Sequence, residues 1–136
     1  MPVTRPTLLL VEDEALVALP LEAELVDAGF HVVLASSGSQ GIAELETDPD
    51  QFSGLVTDIR LPGVEGWTVA KRARELVPTL PVVYISGDSA VDWSAYGVCD
   101  SIMLSKPFAA AQLIAALTAL LNGHLGEPAN RIDLAR

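Results

Sequence analysis

The chain has 136 residues, half of them apolar, and its eight Lys and Arg against eighteen Asp and Glu leave a formal charge of −10. That length suits one domain with a two- or three-layer core. The acidic balance opposes charge-driven binding to nucleic acid or an anionic membrane, so a metal cation or a basic protein surface is the better-matched partner. The single Cys99 cannot form an internal disulfide, no charged n-region precedes an apolar segment at the start, and the longest apolar stretch, Ala109 to Leu121, is too short to span a bilayer. A soluble cytoplasmic domain is expected.

Residues 1–6 read as an N-terminal extension, and Thr7-Leu8-Leu9-Leu10-Val11 as a strand buried on both faces that surfaces at Glu12-Asp13-Glu14. A helix to about Ala28 follows, closed by Gly29, with Leu16, Leu19, Leu25 and Val26 roughly on one side and Glu22, Glu24 and Asp27 on another. Pro20 removes one backbone donor and crowds the Leu16 carbonyl, which predicts a kink or a loosened first turn at a local cost of about 3 kcal/mol. The stretch Ala15 to Leu21 is apolar nearly all round, so part of it should be exposed beside the acids. His31-Val32-Val33-Leu34 is a second strand, and Ser36-Ser37-Gly38-Ser39 can cap a helix from about Gln40 to Glu46, which Thr47-Asp48-Pro49-Asp50 ends.

The third strand, Gly54-Leu55-Val56-Thr57, delivers Asp58 to its carboxyl end before Leu61-Pro62-Gly63 turns the chain away. Gly66 to Val77 reads as a helix whose Lys71, Arg72, Arg74 and Glu75 leave Val69, Ala70, Ala73 and Leu76 for the core, and Pro78 stops it. A fourth strand, Pro81-Val82-Val83-Tyr84-Ile85, ends in Ser86-Gly87-Asp88-Ser89, and a short helix is expected at Ala90 to Tyr96. Ser101-Ile102-Met103-Leu104 is the fifth strand, followed by Ser105-Lys106-Pro107-Phe108 and a helix to Asn122, and residues 123–136 read as a loose tail or a short docking segment. Strands alternating with helices imply an α/β fold with a five-stranded parallel sheet, doubly wound as (βα)5.

In such a sheet, ligands collect beyond the carboxyl ends of the strands. Glu12, Asp13, Asp58, Ser86 and Lys106 all fall there and should converge. Clustered carboxylates repel one another unless a divalent cation and an ammonium stand nearby, and an oxygen-only donor set favours Mg2+, or Mn2+, over zinc. A carboxylate beside such an ion, a hydroxyl and a lysine supplies a nucleophile together with positive charge for transferring phosphoryl oxygens. His31 and His124 show no metal-ligand spacing. Taken alone, Asp58 could be a turn-capping aspartate, Glu12-Asp13-Glu14 a helix start and Lys106-Pro107 a strand end with a helix-starting proline; Glu14 is expected to serve only the helix.

The set Val11-Glu12-Asp13-Glu14, Thr57-Asp58-Ile59-Arg60-Leu61-Pro62-Gly63, Ser86-Gly87 and Lys106-Pro107-Phe108 resembles that of the response-regulator receiver domains of two-component signalling, over about Thr7 to Asn122. The resemblance implies a flavodoxin-like fold and a signalling domain that is not an enzyme. Asp58 would accept a phosphoryl group from a phosphohistidine on a sensor histidine kinase or a histidine phosphotransfer protein. Mg2+ would be held by Glu12, Asp13, Asp58 and the backbone carbonyl of Arg60. Ser86 and Lys106 would read the phosphorylated state and shift the face formed by the fourth and fifth helices and the fifth strand. With fourteen residues after Asn122, no DNA-binding output domain is expected and output would pass by protein contact or onward relay.

Met103 stands where the family commonly places a switching aromatic, so a softer or differently routed response is expected. Arg60 and Asp88 could pair as a lid that slows hydrolysis of the phosphoaspartate, although exposed pairs contribute only about 0–1 kcal/mol. Trp67 and Trp93 read as packing residues, and Cys99 as incidental. Ala15 to Leu21 suits docking of a helical phosphodonor, and the Ala-rich last helix suits a homodimer or an output partner, or is a solvated alanine face. A dehalogenase-like phosphatase would want a second acid where Arg60 stands, and a flavodoxin-like cofactor binder would want a phosphate loop where the acids of the first strand stand.

Overall fold

Five strands, β1 (Thr7–Val11), β2 (His31–Ala35), β3 (Gly54–Asp58), β4 (Val82–Ser86) and β5 (Ser101–Ser105), form one parallel sheet ordered β2-β1-β3-β4-β5 in a computed structural model that describes residues 5–87, 93 and 96–122. The described helices are α1 (Ala15–Asp27), α2 (Gly38–Thr47), α3 (Gly66–Leu76) and α4 (Ala110–Asn122). The helix expected at Ala90 to Tyr96 falls largely outside the described residues, as do Asp88 and the tail. Side chains alternate between the two faces of each strand, and both faces carry helices, which is why the central strands are apolar without interruption. Leu9, Val11, Leu55 and Tyr84 pack with Leu45 of α2 and Val69, Ala70 and Ala73 of α3. Leu8, Leu10, Val56 and Ile85 pack on the opposite face with Leu21 and Leu25 of α1 and Leu113 and Leu117 of α4. The result is the flavodoxin-like doubly wound α/β fold.

Helix ends follow local chemistry. Gly29, at φ 105°, closes α1 in the left-handed region that glycine enters without a Cβ penalty. Ser37 caps α2, its hydroxyl accepting the Gln40 N–H at 3.0 Å, and the Gln40 carboxamide accepts the Ser36 N–H at 2.7 Å in return. No loosened first turn appears around Pro20: the N–H groups of Val17 and Ala18 donate to the Glu14 carbonyl at 3.0 and 2.9 Å, and α1 is helical through the proline.

Part of Ala15 to Leu21 is exposed, as expected, but two side chains differ from expectation: Leu25 parts from Leu16, Leu19 and Val26, and Arg74 leaves solvent. The core stripe of α1 is Ala18, Leu21 and Leu25, one position in three or four, which turns Leu16, Leu19 and Val26 outward at 92%, 55% and 42% exposure. Arg74 of α3 does not lie with its neighbours in solvent; its guanidinium donates to the carbonyls of Leu80 and Cys99, both at 2.6 Å, and burial pulls its pKa below the ordinary value. Trp93 and Tyr84 tie the chain between β4 and β5 to the sheet. The Trp93 indole donates to the Ser101 hydroxyl at 2.9 Å, and the Tyr84 hydroxyl accepts the Val98 N–H at 3.1 Å. Met103 lies buried in the same core, in register with Tyr84.

Removing the Tyr84 hydroxyl leaves the Val98 donor without its acceptor in a partly buried site, which costs about 1–2 kcal/mol. Urea unfolding of Tyr84→Phe should therefore show a lower midpoint with an unchanged slope; a midpoint equal to that of the wild type contradicts the tether.

Candidate functional site

The carboxyl edge of the sheet has a topological break between β1 and β3, because the chain leaves β1 for β2 on one side and later returns as β3 on the other. The strand register ends at Val11 opposite Thr57, so the next residues, Glu12 and Asp58, project side by side into the crevice. Both are nearly buried, at 1% and 5% exposure, while Asp13 is exposed at the rim. One carboxylate oxygen from each of Glu12, Asp13 and Asp58 lies within 4.8 Å of the others. Lys106 enters from the end of β5, its Nζ 3.1 Å from Asp58 Oδ2 and 3.3 Å from Glu12 Oε1.

The loop that carries Lys106 is fixed by its backbone N–H, which donates to the Ser86 carbonyl at 2.7 Å. This bond joins the ends of β4 and β5 and places buried Ser86 on the same edge. Pro107 does not open the last helix, since α4 begins at Ala110. Arg60 is exposed, two residues past Asp58. Glu14 is the N-cap residue of α1, yet its side chain caps nothing; the Glu12 carboxylate instead accepts the Glu14 N–H at 3.2 Å. Glu12 is thereby oriented by the start of α1 on one side and by Lys106 on the other.

Electrostatics follow from this crowding. Burial, and next the charge of Asp58, push the Glu12 carboxyl up to about 7 from 4.5, against the lowering effects of the Glu14 N–H and of Lys106. Burial draws the Lys106 ammonium downward, but its hydrogen bond to Asp58, the Asp58 charge and Glu12 outweigh that and hold it above its ordinary value. Three carboxylates meet one ammonium here, so the basin keeps an excess of negative charge that a small divalent cation matches. An oxygen-only donor set of carboxylates suits Mg2+.

One contact was not legible as functional in the sequence. Thr57, read only as the last residue before the acid, turns its buried hydroxyl to the Asp58 carbonyl at 2.9 Å.

A parallel α/β sheet with an acidic pocket and a lysine at its switch point defines a receiver-like class of signalling domain. The chain belongs to the response regulator receiver domain family, whose model matches residues 8–118. It is 34% identical over 116 residues to the response regulator receiver protein CpdR of Brucella abortus, an alignment covering 84% of this chain and 95% of that protein. The crystal structure of a response regulator receiver protein from Sinorhizobium medicae is similar with a TM-score of 0.85 and 48% identity, over 88% of this chain and 96% of that one. The receiver domain of the sensor histidine kinase PA1611 of Pseudomonas aeruginosa, which has a magnesium ion coordinated in its active-site cleft, shares the fold with a TM-score of 0.77 at 23% identity, over 88% of this chain and all of that one. Other curated relatives are longer, and this chain spans between 24% and 54% of their length. Among the described residues, no helix is long and apolar enough to cross a membrane.

The raised Glu12 carboxyl has a consequence for stability. Between pH 4.5 and about 7 this group is ionised in the unfolded chain but still protonated in the fold, so its contribution is fully present below 4.5 and is lost as pH rises through 7. In metal-free protein, Glu12→Gln should gain stability relative to the wild type across that window and hold the gain above it, as read from urea midpoints at several pH values. A stability difference that does not vary with pH contradicts the assignment.

Proposed function

We propose that this chain is a phosphoacceptor module of a two-component phosphorelay, with Asp58 as the acceptor. The observation that carries the reading is Lys106 Nζ at 3.1 Å from the Asp58 carboxylate inside a three-carboxylate basin. Asp58 Oδ attacks phosphorus as the nitrogen–phosphorus bond of a phosphohistidine breaks, and the departing imidazole takes up a proton. Lys106 already sits where it can move from the carboxylate to a phosphoryl oxygen, acting as a point charge. The Ser86 hydroxyl, at the end of the neighbouring strand, donates to a second oxygen. Glu12, Asp13, Asp58 and the Arg60 carbonyl would hold Mg2+, which would supply positive charge against the carboxylates and the transferring group.

The donor's docking surface lies beside this basin. Leu16, Leu19 and Val26 form an exposed apolar stripe on α1, and a groove of about 380 Å3 runs between Val17, Pro20 and Leu21 of α1 and Lys106, Pro107 and Phe108. Glu24 lines the same groove, so the surface fits a partner helix with an apolar stripe flanked by basic residues, as on a sensor histidine kinase or a histidine phosphotransfer protein. A homodimer through α4 is less favoured. Its exposed residues include Ala111, Gln112, Ala115 and Thr118, small or polar side chains with little apolar area to bury. The module is a cytoplasmic signalling domain and not an enzyme with an external substrate. It signals by protein contact or onward relay and does not bind nucleic acid, in keeping with its −10 charge.

Incubation with Mg2+ and acetyl phosphate should add the mass of one phosphoryl group to the wild type and none to Asp58→Asn; equal labelling of the two removes Asp58 as acceptor. Leu16→Asp should leave labelling by acetyl phosphate intact while slowing transfer from a phosphohistidine protein at least about tenfold, the loss expected when a charge enters an apolar contact. Unaltered transfer moves the docking surface elsewhere.

A further inference from the structure

We infer that Thr57 and Gly66 are positioning residues that clamp the Asp58 peptide and so fix the acceptor at the end of β3 and the Arg60 carbonyl just past it, an inference that rests on the phosphoacceptor reading above. The β1–β3 pairing stops at Val11 and Thr57, leaving the Asp58 carbonyl beyond the end of that ladder. The Thr57 hydroxyl, wholly buried, donates to it at 2.9 Å. From the other side the first turn of α3 closes on the same peptide. A Cβ at Gly66 would collide with the Asp58 carbonyl oxygen and stand 2.9 Å from Ile59 Cα, both backbone atoms that cannot swing aside. The Gly66 N–H meanwhile donates to the Ile59 carbonyl at 2.9 Å, and the Ile59 N–H donates to Ile85 of β4 at 3.1 Å. The peptides on both sides of Ile59 are therefore held by a hydroxyl, a helix start and a neighbouring strand, and Arg60 comes next.

The arrangement has a function beyond stability because the acceptor is the last residue of β3 and the expected metal ligand Arg60 lies just past it, where a displacement near 1 Å is enough to spoil in-line transfer. Groups that orient ligands without touching the ion typically alter affinity or activity by about 10- to 100-fold when removed. Valine matches threonine in shape and lacks the donor, whereas serine keeps the donor and loses a methyl group.

The test compares wild type, Thr57→Val, Thr57→Ser and Gly66→Ala as full chains, measuring Mg2+ binding by titration calorimetry, labelling by acetyl phosphate and thermal midpoint. Thr57→Val should bind Mg2+ about tenfold more weakly and label about tenfold more slowly. Thr57→Ser should return both towards wild type even where its midpoint falls, a split that a purely structural role would not produce. Gly66→Ala should weaken Mg2+ binding in the same direction; if it does not fold, the threonine pair decides alone. A wild type that binds Mg2+ and labels while Thr57→Val matches it in both overturns the clamp and leaves the acceptor reading standing. A wild type that does neither overturns the acceptor reading, and the clamp with it.

Discussion

Three carboxylates and one ammonium share the crevice at the carboxyl edge of the sheet, and most of the fold can be understood as the means of holding them there. Glu12 and Asp58 follow directly from adjacent strands, so their approach is set by the hydrogen-bond register and not by flexible loops. Lys106 arrives from β5, and its backbone is fastened to the end of β4. Burial first, and then the neighbouring charge of Asp58, disfavour ionisation of Glu12 and raise its carboxyl. A site with three carboxylates against one ammonium has the charge that suits a divalent cation.

The two cores flanking the sheet have different tasks. On the α2 and α3 face, Tyr84, Trp93 and Arg74 each hold the segment between β4 and β5 through a hydrogen bond to backbone or to Ser101. Tyr84 lies two residues before Ser86, and its register partners are Thr57 and Met103. On the α1 and α4 face, packing is mostly aliphatic around Phe30, and α1 keeps a second apolar stripe outside the core. Leu16 at 92% exposure has no role in folding that its surroundings explain, and single exposed leucines are ordinary. A stripe of three beside a groove that includes Lys106 is larger than a scattered single residue and is the surface proposed above for the phosphodonor.

Much of this was legible in the sequence because its causes are local. An uninterrupted apolar run identified β1 as a central strand, Gly29 and the Ser36-Ser37-Gly38-Ser39 linker announced helix ends, though α2 starts at Gly38 and not near Gln40, and the acids and lysine fell at strand termini by position alone. What could not be read depended on rotation about a helix axis or on long-range partners. Leu16, Leu19, Leu25 and Val26 can be assigned to one broad face on paper, but only the packed helix shows that Ala18, Leu21 and Leu25 turn inward. Arg74 looks like any solvated arginine until the carbonyls of Leu80 and Cys99 are brought to it. Glu14 resembled a helix-capping acid, whereas Glu12 reaches over to accept its N–H. The Thr57 hydroxyl carried no signal, since a threonine inside a strand is commonplace.

The central claim is that Glu12, Asp13 and Asp58 form a single divalent-cation site on the folded chain, and its most direct test is the unfolding free energy measured against Mg2+ concentration. Binding to the fold alone stabilises by RT ln(1 + [Mg2+]/Kd), so the wild type should gain about 1.4 kcal/mol per tenfold rise in Mg2+ above Kd. Asp13→Asn, which removes the exposed acid with the least disturbance to packing, should lose most of that gain. A wild type whose stability ignores Mg2+, or an Asp13→Asn variant that responds as the wild type does, contradicts the account.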